Sequence, residues 1–283
     1  MKKLLIVLIL SGLLAPVFAQ DETSSKPVRF TFGTSILIDN QTVATPYKSG
    51  LELEIHHRFS LIENHKNLWG IYGSANTRIG LNYGVTDRLM IGAGTTKDYK
   101  LQDLQWKYLI LQQTEDNKVP VSLSYYGNFV ADLRNPASFG PEASFKEIHR
   151  LSYFNQILIA RKLNEKFSVQ IAPSVTYFNA VPISNDSTGY KNLNFGLSAG
   201  ARANLFGNHS LMLEYDQLLT KQDLDEQPKP NLALGWEIST ATHTFQVFVT
   251  NYSQIINQRN LVFNTNDFTK GEYMVGFNIT VRF

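Results

Sequence analysis

The chain has 283 residues, no cysteine and a formal net charge of +2. A disulfide framework and cysteine-ligated metal are thereby excluded, and the charge is too balanced to point to nucleic acid. Aromatic residues are plentiful while mean hydropathy is slightly negative, the balance expected of strands that each turn one face to water.

The first residues have the three-part layout of a cleaved export signal. Lys2 and Lys3 supply positive charge, Leu4 to Leu14 is an almost unbroken apolar run, and Val17, Phe18 and Ala19 set small or apolar residues before Gln20. The run is short for a helix that must cross about 30 Å of hydrocarbon, so cleavage near Ala19 is expected rather than anchoring. With no cysteine near that point, a lipidated N-terminus is excluded. Three units follow: a signal peptide at 1–19, an N-terminal extension at 20–49, and a transmembrane β-barrel at 50–283. Asp21 to Lys26 should be disordered. Val28 to Lys48 has β character in Phe30, Phe32, Ile36 and Ile38, but as a further strand it would make the count odd. It is expected near the periplasmic mouth or tucked into the lumen.

From Gly50 onward the pattern has period two, as in strands with one apolar and one polar face. Leu51, Leu53, Ile55 and Phe59 alternate with Glu52, Glu54, His56 and Arg58. Ile79, Leu81 and Tyr83 alternate with Arg78 and Asn82, and Leu89, Ile91 and Ala93 with Met90, Gly92 and Gly94. Trp106, Tyr108 and Ile110 flank Gln105 and Lys107, and a run from Val119 to Tyr126 comes next. Leu151 to Ile159, Phe167 to Tyr177 and Leu193 to Asn204 continue the alternation, the last with Arg202 on its polar side. Then come Leu211 to Asp216 with Glu214 and Asp216, Leu232 to Ile238 with Glu237, and Phe245 to Thr250. The ending is clearest, with Tyr273, Val275, Phe277, Ile279, Val281 and Phe283 on one face and Gly276, Asn278, Thr280 and Arg282 on the other.

The prediction is an all-β fold, a single closed antiparallel transmembrane barrel of about twelve strands. No stretch after the export signal approaches the ~18 apolar residues of a membrane helix, and helical periodicity is confined to weak possibilities in loops. Short turns are expected at Val85–Asp87, Thr114–Lys118, Leu163–Glu165, Phe206–Asn208 and Thr240–Thr242 on the periplasmic side. Longer outer loops are expected at Leu61–Ser74, Leu133–Lys146, Asn179–Gly189, Leu219–Lys229 and Tyr252–Lys270, with Lys97–Lys100 as a short exception. Tyr83, Tyr125, Tyr177, Tyr215, Trp236 and Tyr273 lie near strand ends, where interfacial girdles form. The terminal amphipathic strand closing on Phe283 resembles the signal read by outer-membrane barrel assembly machinery.

Leu51-Glu52-Leu53-Glu54-Ile55-His56-His57-Arg58-Phe59, Ile79 to Leu89 and Gly276-Phe277-Asn278-Ile279 resemble segments of a family of uncharacterised Bacteroidota outer-membrane β-barrel proteins. The resemblance covers most of the chain after the export signal. It implies the fold and an outer-membrane location, and no activity.

The candidate site is the inward face. Its charged members are Glu52, Glu54, His56, Arg58, Arg78, Lys107, Arg202, Glu214, Asp216, Glu237 and Arg282. They can line a polar conduit, or pair with one another and brace the interior, since an unpaired buried charge is costly. Bracing is the favoured reading, and the mixed signs argue against strong ion selectivity. His56 and His57 are adjacent and point to opposite faces, so a metal is not expected. No Gly-x-Ser-x-Gly elbow, P-loop or dinucleotide fingerprint occurs, so neither a catalytic residue nor a cofactor is expected. The expected function is a narrow passive channel or a small-solute binding and transport protein. The alternatives are a non-conducting structural or interaction barrel and, behind it, a barrel-borne lipid hydrolase. Expected partners are outer-membrane lipid, the assembly machinery and a periplasmic protein, and no nucleic acid.

Overall fold

The computed structural model describes residues 25–63, 67–140, 144–182 and 189–283; the expected signal peptide at 1–19 lies outside them. Twelve antiparallel strands run through the described residues. They are β1 (Leu51–Leu61), β2 (Asn76–Gly84), β3 (Leu89–Thr96), β4 (Leu101–Leu111), β5 (Ser122–Asp132), β6 (Leu151–Lys162), β7 (Phe167–Phe178), β8 (Leu193–Phe206), β9 (His209–Leu218), β10 (Asn231–Ser239), β11 (His243–Thr250) and β12 (Met274–Arg282). Each pairs with its neighbours in sequence, and β1 pairs with β12 to close the ring. At the seam Ile55 lies opposite Ile279 and His56 opposite Asn278, with a register break between Arg58 and Leu61. Closure gives every ladder group a partner, the condition for crossing lipid as strands.

Alternation decides which face looks where. On β2, Ile79 is 50% exposed while Arg78 beside it is 4% exposed, and on β11 Val247 is 58% exposed against 1% for Gln246. The apolar side chains therefore point out of the barrel and the polar ones into it. An outward apolar surface with a polar interior inverts a soluble fold and suits a barrel wall in lipid.

The chain ends of the barrel, Gly50 and Phe283, lie at one end, where Leu51 N–H donates to Phe283 O at 3.3 Å. Tight turns at 85–88, 163–166, 207–208 and 240–242 share that end. The connection 112–121 is longer than the expected turn at Thr114–Lys118. Thr114 N–H donates to Val119 O (3.0 Å), which keeps Val119 out of the ladder, and β5 begins at Ser122. The same connection takes up the incoming chain. Val28 N–H donates to Gln113 O (2.7 Å) and Glu115 N–H to Lys26 O (2.9 Å). Ser25 donates its hydroxyl to Asp116 at 2.6 Å, so Ser25 and Lys26 are held, contrary to the expectation of disorder for Asp21 to Lys26, whose first four residues lie outside the described ones. Ser25, seconded by Thr114, pushes the Asp116 carboxyl down to about 2. The opposite end carries the long connections 62–75, 133–150, 179–192, 219–230 and 251–273. The short one, 97–100, turns on left-handed backbone at Tyr99 (φ 61) and Lys100 (φ 51).

Two pieces of chain that are not wall fill the interior. Thr31 to Val43 enters from the end with the short turns and doubles back, with Leu37 N–H on Asn40 O and Thr42 N–H on Ser35 O, both 2.8 Å. Phe32, Leu37, Ile38 and Val43 are buried there against Phe154, Leu158, Met212, Phe248 and Tyr252. The second piece is a helix, α1 (Asn257–Phe263), folded down from the connection between β11 and β12. Sequence reading set no helix here. Its Gln258, Asn260, Leu261 and Val262 are buried.

Candidate functional site: the filled lumen

Inward strand positions recur every second residue, so each wall strand offers a short column of side chains to the lumen. β1 presents Glu52, Glu54, His56 and Arg58; β2 presents Arg78; β4 presents Asp103 and Lys107; β9 presents Glu214 and Asp216. All nine are buried. Glu237 of β10 is buried too, whereas Arg202 of β8 and Arg282 of β12 are partly exposed.

Some of these charges pair within the wall. Arg78 bridges β1 and β4, with Nη1 on Glu54 Oε2 at 3.1 Å and Nη2 on Asp103 Oδ2 at 2.6 Å. Its guanidinium lies over Gly80 and Gly94, where an added Cβ would collide with it. Arg202 donates to Glu237 at 2.8 Å, and Arg282 Nε lies 3.5 Å from Glu52 Oε2. His56 Nε2 lies 3.7 Å from Glu54 Oε2, and neither ring nitrogen has a hydrogen-bond partner among the described residues.

The other charges are satisfied by the segment inside the barrel. Arg58 donates from Nη2 to Asp39 Oδ1 at 2.6 Å and from Nη1 to Asn278 Oδ1 at 3.0 Å. Lys107 Nζ donates to Ser35 O (2.9 Å) and Gln41 Oε1 (3.0 Å). Glu214 accepts three backbone N–H groups from the tip of the turn, those of Ile38 (2.8 Å), Asp39 (3.0 Å) and Asn40 (3.1 Å). Asp216 accepts from Asn40 Nδ2 at 2.7 Å. Gln170, Asn278 and Arg282 donate to the carbonyls of Gln41, Ile38 and Gly33. Ser35 donates its hydroxyl to Glu52 and Glu54.

α1 meets the same tip from the other side. Asn257 Nδ2 donates to Asp39 O at 3.0 Å, and Gln258 Nε2 donates to Asn128 Oδ1 at 2.9 Å. Arg259 stacks over Tyr99 at 3.6 Å, and the Phe263 ring lies 5.0 Å from that of Phe178. Two cavities flank the tip. One of about 10 Å³ is lined by Asp39, Asn40, Ser198 and Asp216 among others, and one of about 20 Å³ by Asp39, Gln41, His56, Arg78 and Asp103 among others. A water needs about 10–15 Å³ on this measure, so each holds little more than one.

The eleven sequence candidates thus all belong to strands of one lumen. Arg58 and Lys107 stand on the β1–β4 arc with Arg78, while Glu214 and Asp216 stand on β9, half-way round the ring from β3. Reading the sequence missed Asp39 and Asp103. Asp103 sits two inward positions before Lys107 on β4, so extending that strand's alternation upstream finds it. Asp39 lies just past the β character of Ile36 and Ile38, in a segment set outside the strand count, so parity gave it no inward side.

Among solved structures, the barrel is similar to the NanC porin, with 8% identity, 82% of this chain and 98% of that chain covered, and a TM-score of 0.50. An outer membrane channel from Pseudomonas putida F1 aligns at 14% identity over 85% of this chain and 97% of that one, with a TM-score of 0.51. Outer membrane phospholipase A from Escherichia coli aligns at 13% identity over 86% and 93% with a TM-score of 0.43, too remote to carry an argument. At such identities the likeness is one of fold. No curated protein matches the sequence. Residues 32–283, which take in nearly all of the buried turn with the twelve strands, match the membrane bound beta barrel domain family, DUF5777, and the chain belongs to it.

Proposed function

We propose that this protein is an outer-membrane pore for small solutes, closed in the conformation described here by its own N-terminal segment. The observation that carries this reading is the way the closing segment is held. Thr31 to Val43 is not part of the ladder, and its tip is fixed mainly by side chains of Arg58, Lys107, Glu214, Asp216 and Asn278. Water can take over every one of those hydrogen bonds, so the segment can leave and expose a hydrated, charged lining without breaking the wall. Export through the expected signal peptide, cleavage near Ala19, assembly through the strand that ends in Phe283 and contact with a periplasmic protein belong to the same proposal. The resemblance to barrels of the Bacteroidota fits a source in that group.

A second reading is a non-conducting scaffold. It is favoured by the apolar cluster in which Leu37, Ile38 and Val43 meet Phe154, Leu158 and Phe248, since burying such side chains gives the segment a packing role. Conductance in planar bilayers separates the two. The pore reading expects the parent chain to be silent or to open rarely, and a full-length Asp39→Ala/Asn40→Ala chain to open in discrete steps. Silence of both, with the segment shown to be displaced, would leave the scaffold.

A further inference from the structure

We infer that the solute is a small zwitterion of amino-acid type, and that Asp39 occupies its place as a tethered stand-in. This rests on the pore reading and adds the class of solute to it. The Asp39 backbone N–H donates to Glu214 Oε2 at 3.0 Å, and its own carboxylate accepts from Arg58 Nη2 at 2.6 Å. One residue therefore spans the lumen between an acid on β9 and a cation on β1.

The skeleton that does this is a nitrogen and a carboxylate joined by two carbons, which is that of a β-amino acid; an α-amino acid is one carbon shorter. Glu214 receives three N–H groups, from Ile38, Asp39 and Asn40, and a free ammonium offers three donors from one atom. Asp216, the next inward residue on β9, loses Asn40 when the tip leaves and adds a second acceptor for the same ammonium. Across the lumen, Arg58 loses Asp39 Oδ1 when the tip leaves and is free to take the solute's carboxylate.

Discrimination follows from what each solute leaves unpaired. A neutral solute satisfies neither wall, an anion leaves the Glu214 side bare, and a cation leaves Arg58 bare. A zwitterion satisfies both ends, and a site built around charged partners rejects analogues that leave them unsatisfied.

The test is swelling of proteoliposomes carrying the full-length Asp39→Ala/Asn40→Ala chain. β-Alanine, lactamide and lactate are compared as a zwitterion, a neutral solute and an anion of similar size. Displacement of the tip is checked by adding Ser35→Cys and labelling with a membrane-impermeant maleimide; the chain has no other cysteine. β-Alanine should enter roughly tenfold faster than lactamide, the factor expected from one additional charge-assisted hydrogen bond. Adding Glu214→Gln or, separately, Arg58→Gln should bring the ratio of β-alanine to lactamide entry, each measured in the same variant, down to about one. Equal entry of β-alanine and lactamide, or a preference that survives both substitutions, overturns the inference and leaves the pore standing. Labelled Ser35→Cys with no solute entering overturns the pore reading and the inference together. A tip that stays protected after Asp39 and Asn40 are truncated shows that these side chains do not hold the site, and overturns the inference as well.

Discussion

Replacing Glu214 with leucine should unlatch the internal segment while leaving the barrel standing. Glu214 is buried and accepts the N–H groups of Ile38, Asp39 and Asn40. Leucine has similar bulk and no acceptor, so three buried donors lose their partner at once. Each orphaned group costs about 1–3 kcal/mol. The adjoining cavity of about 10 Å³, lined by Asp39, Asn40 and Asp216, has room for about one water, which can recover one of the three. A net cost of about 2–6 kcal/mol remains for the other two, and it falls on the closed state alone because the donors are hydrated once the segment is out. At about 1.4 kcal/mol per tenfold, the open population should rise at least roughly tenfold and up to roughly 10⁴-fold. The readout is the maleimide labelling rate of Ser35→Cys, with and without Glu214→Leu, under conditions where opening and closing are fast relative to labelling, so that the rate follows the open population. The β9 ladder is made by backbone groups, so the heat-modifiable gel band should stay within a few degrees of the parent. An unchanged labelling rate would refute the latch. So would a barrel that loses its folded band before the label reaches Ser35→Cys, because Glu214 would then be bracing the wall.

Leu197 is 40% exposed on the outward face of β8, and Leu197→Arg should cost about 2–4 kcal/mol if it lies near the bilayer midplane. Folding into vesicles across a urea series measures this, and an unshifted midpoint would contradict the outward assignment. Arg78→Met should leave Glu54 and Asp103 facing each other uncompensated, destabilising the barrel by about 3–5 kcal/mol. The temperature at which the folded gel band is lost should fall clearly, and an unmoved transition would mean the two carboxylates find other partners. Deleting Val28 to Lys48 should spare assembly, because the ladder from β1 to β12 is complete without it. Loss of the heat-modifiable band would make the segment part of the folding core.

What the sequence revealed and what it hid have one physical origin. A strand between lipid and an aqueous lumen has to alternate, so inward charges such as Glu54, Arg58 and Glu214 announce themselves by parity alone. Even Asp103 was reachable by carrying the β4 pattern two residues further back. The inward glycines of β2 and β3 belong to the same signal, since Gly80 and Gly94 clear the space that Arg78 fills. A segment that closes a lumen obeys no such rule. Its surroundings are polar at Glu214 and Arg58 and apolar at Phe154 and Met212, so Thr31 to Val43 mixes both kinds of side chain, and the β character of Phe32, Ile36 and Ile38 stops at the tip. α1 is hidden for a related reason. A surface helix turns its polar face to water, but Gln258 is buried and donates to Asn128 of the wall while Leu261 packs into the core, and no amphipathic stripe results. The link between Asp39 and Glu214 joins residues 175 positions apart, and the local pattern of neither one points to the other. A barrel's wall can therefore be read along the chain, strand by strand. Its closure depends on contacts between distant segments, and those become visible only once the strands have brought the charges of β1 and β9 to face the same turn.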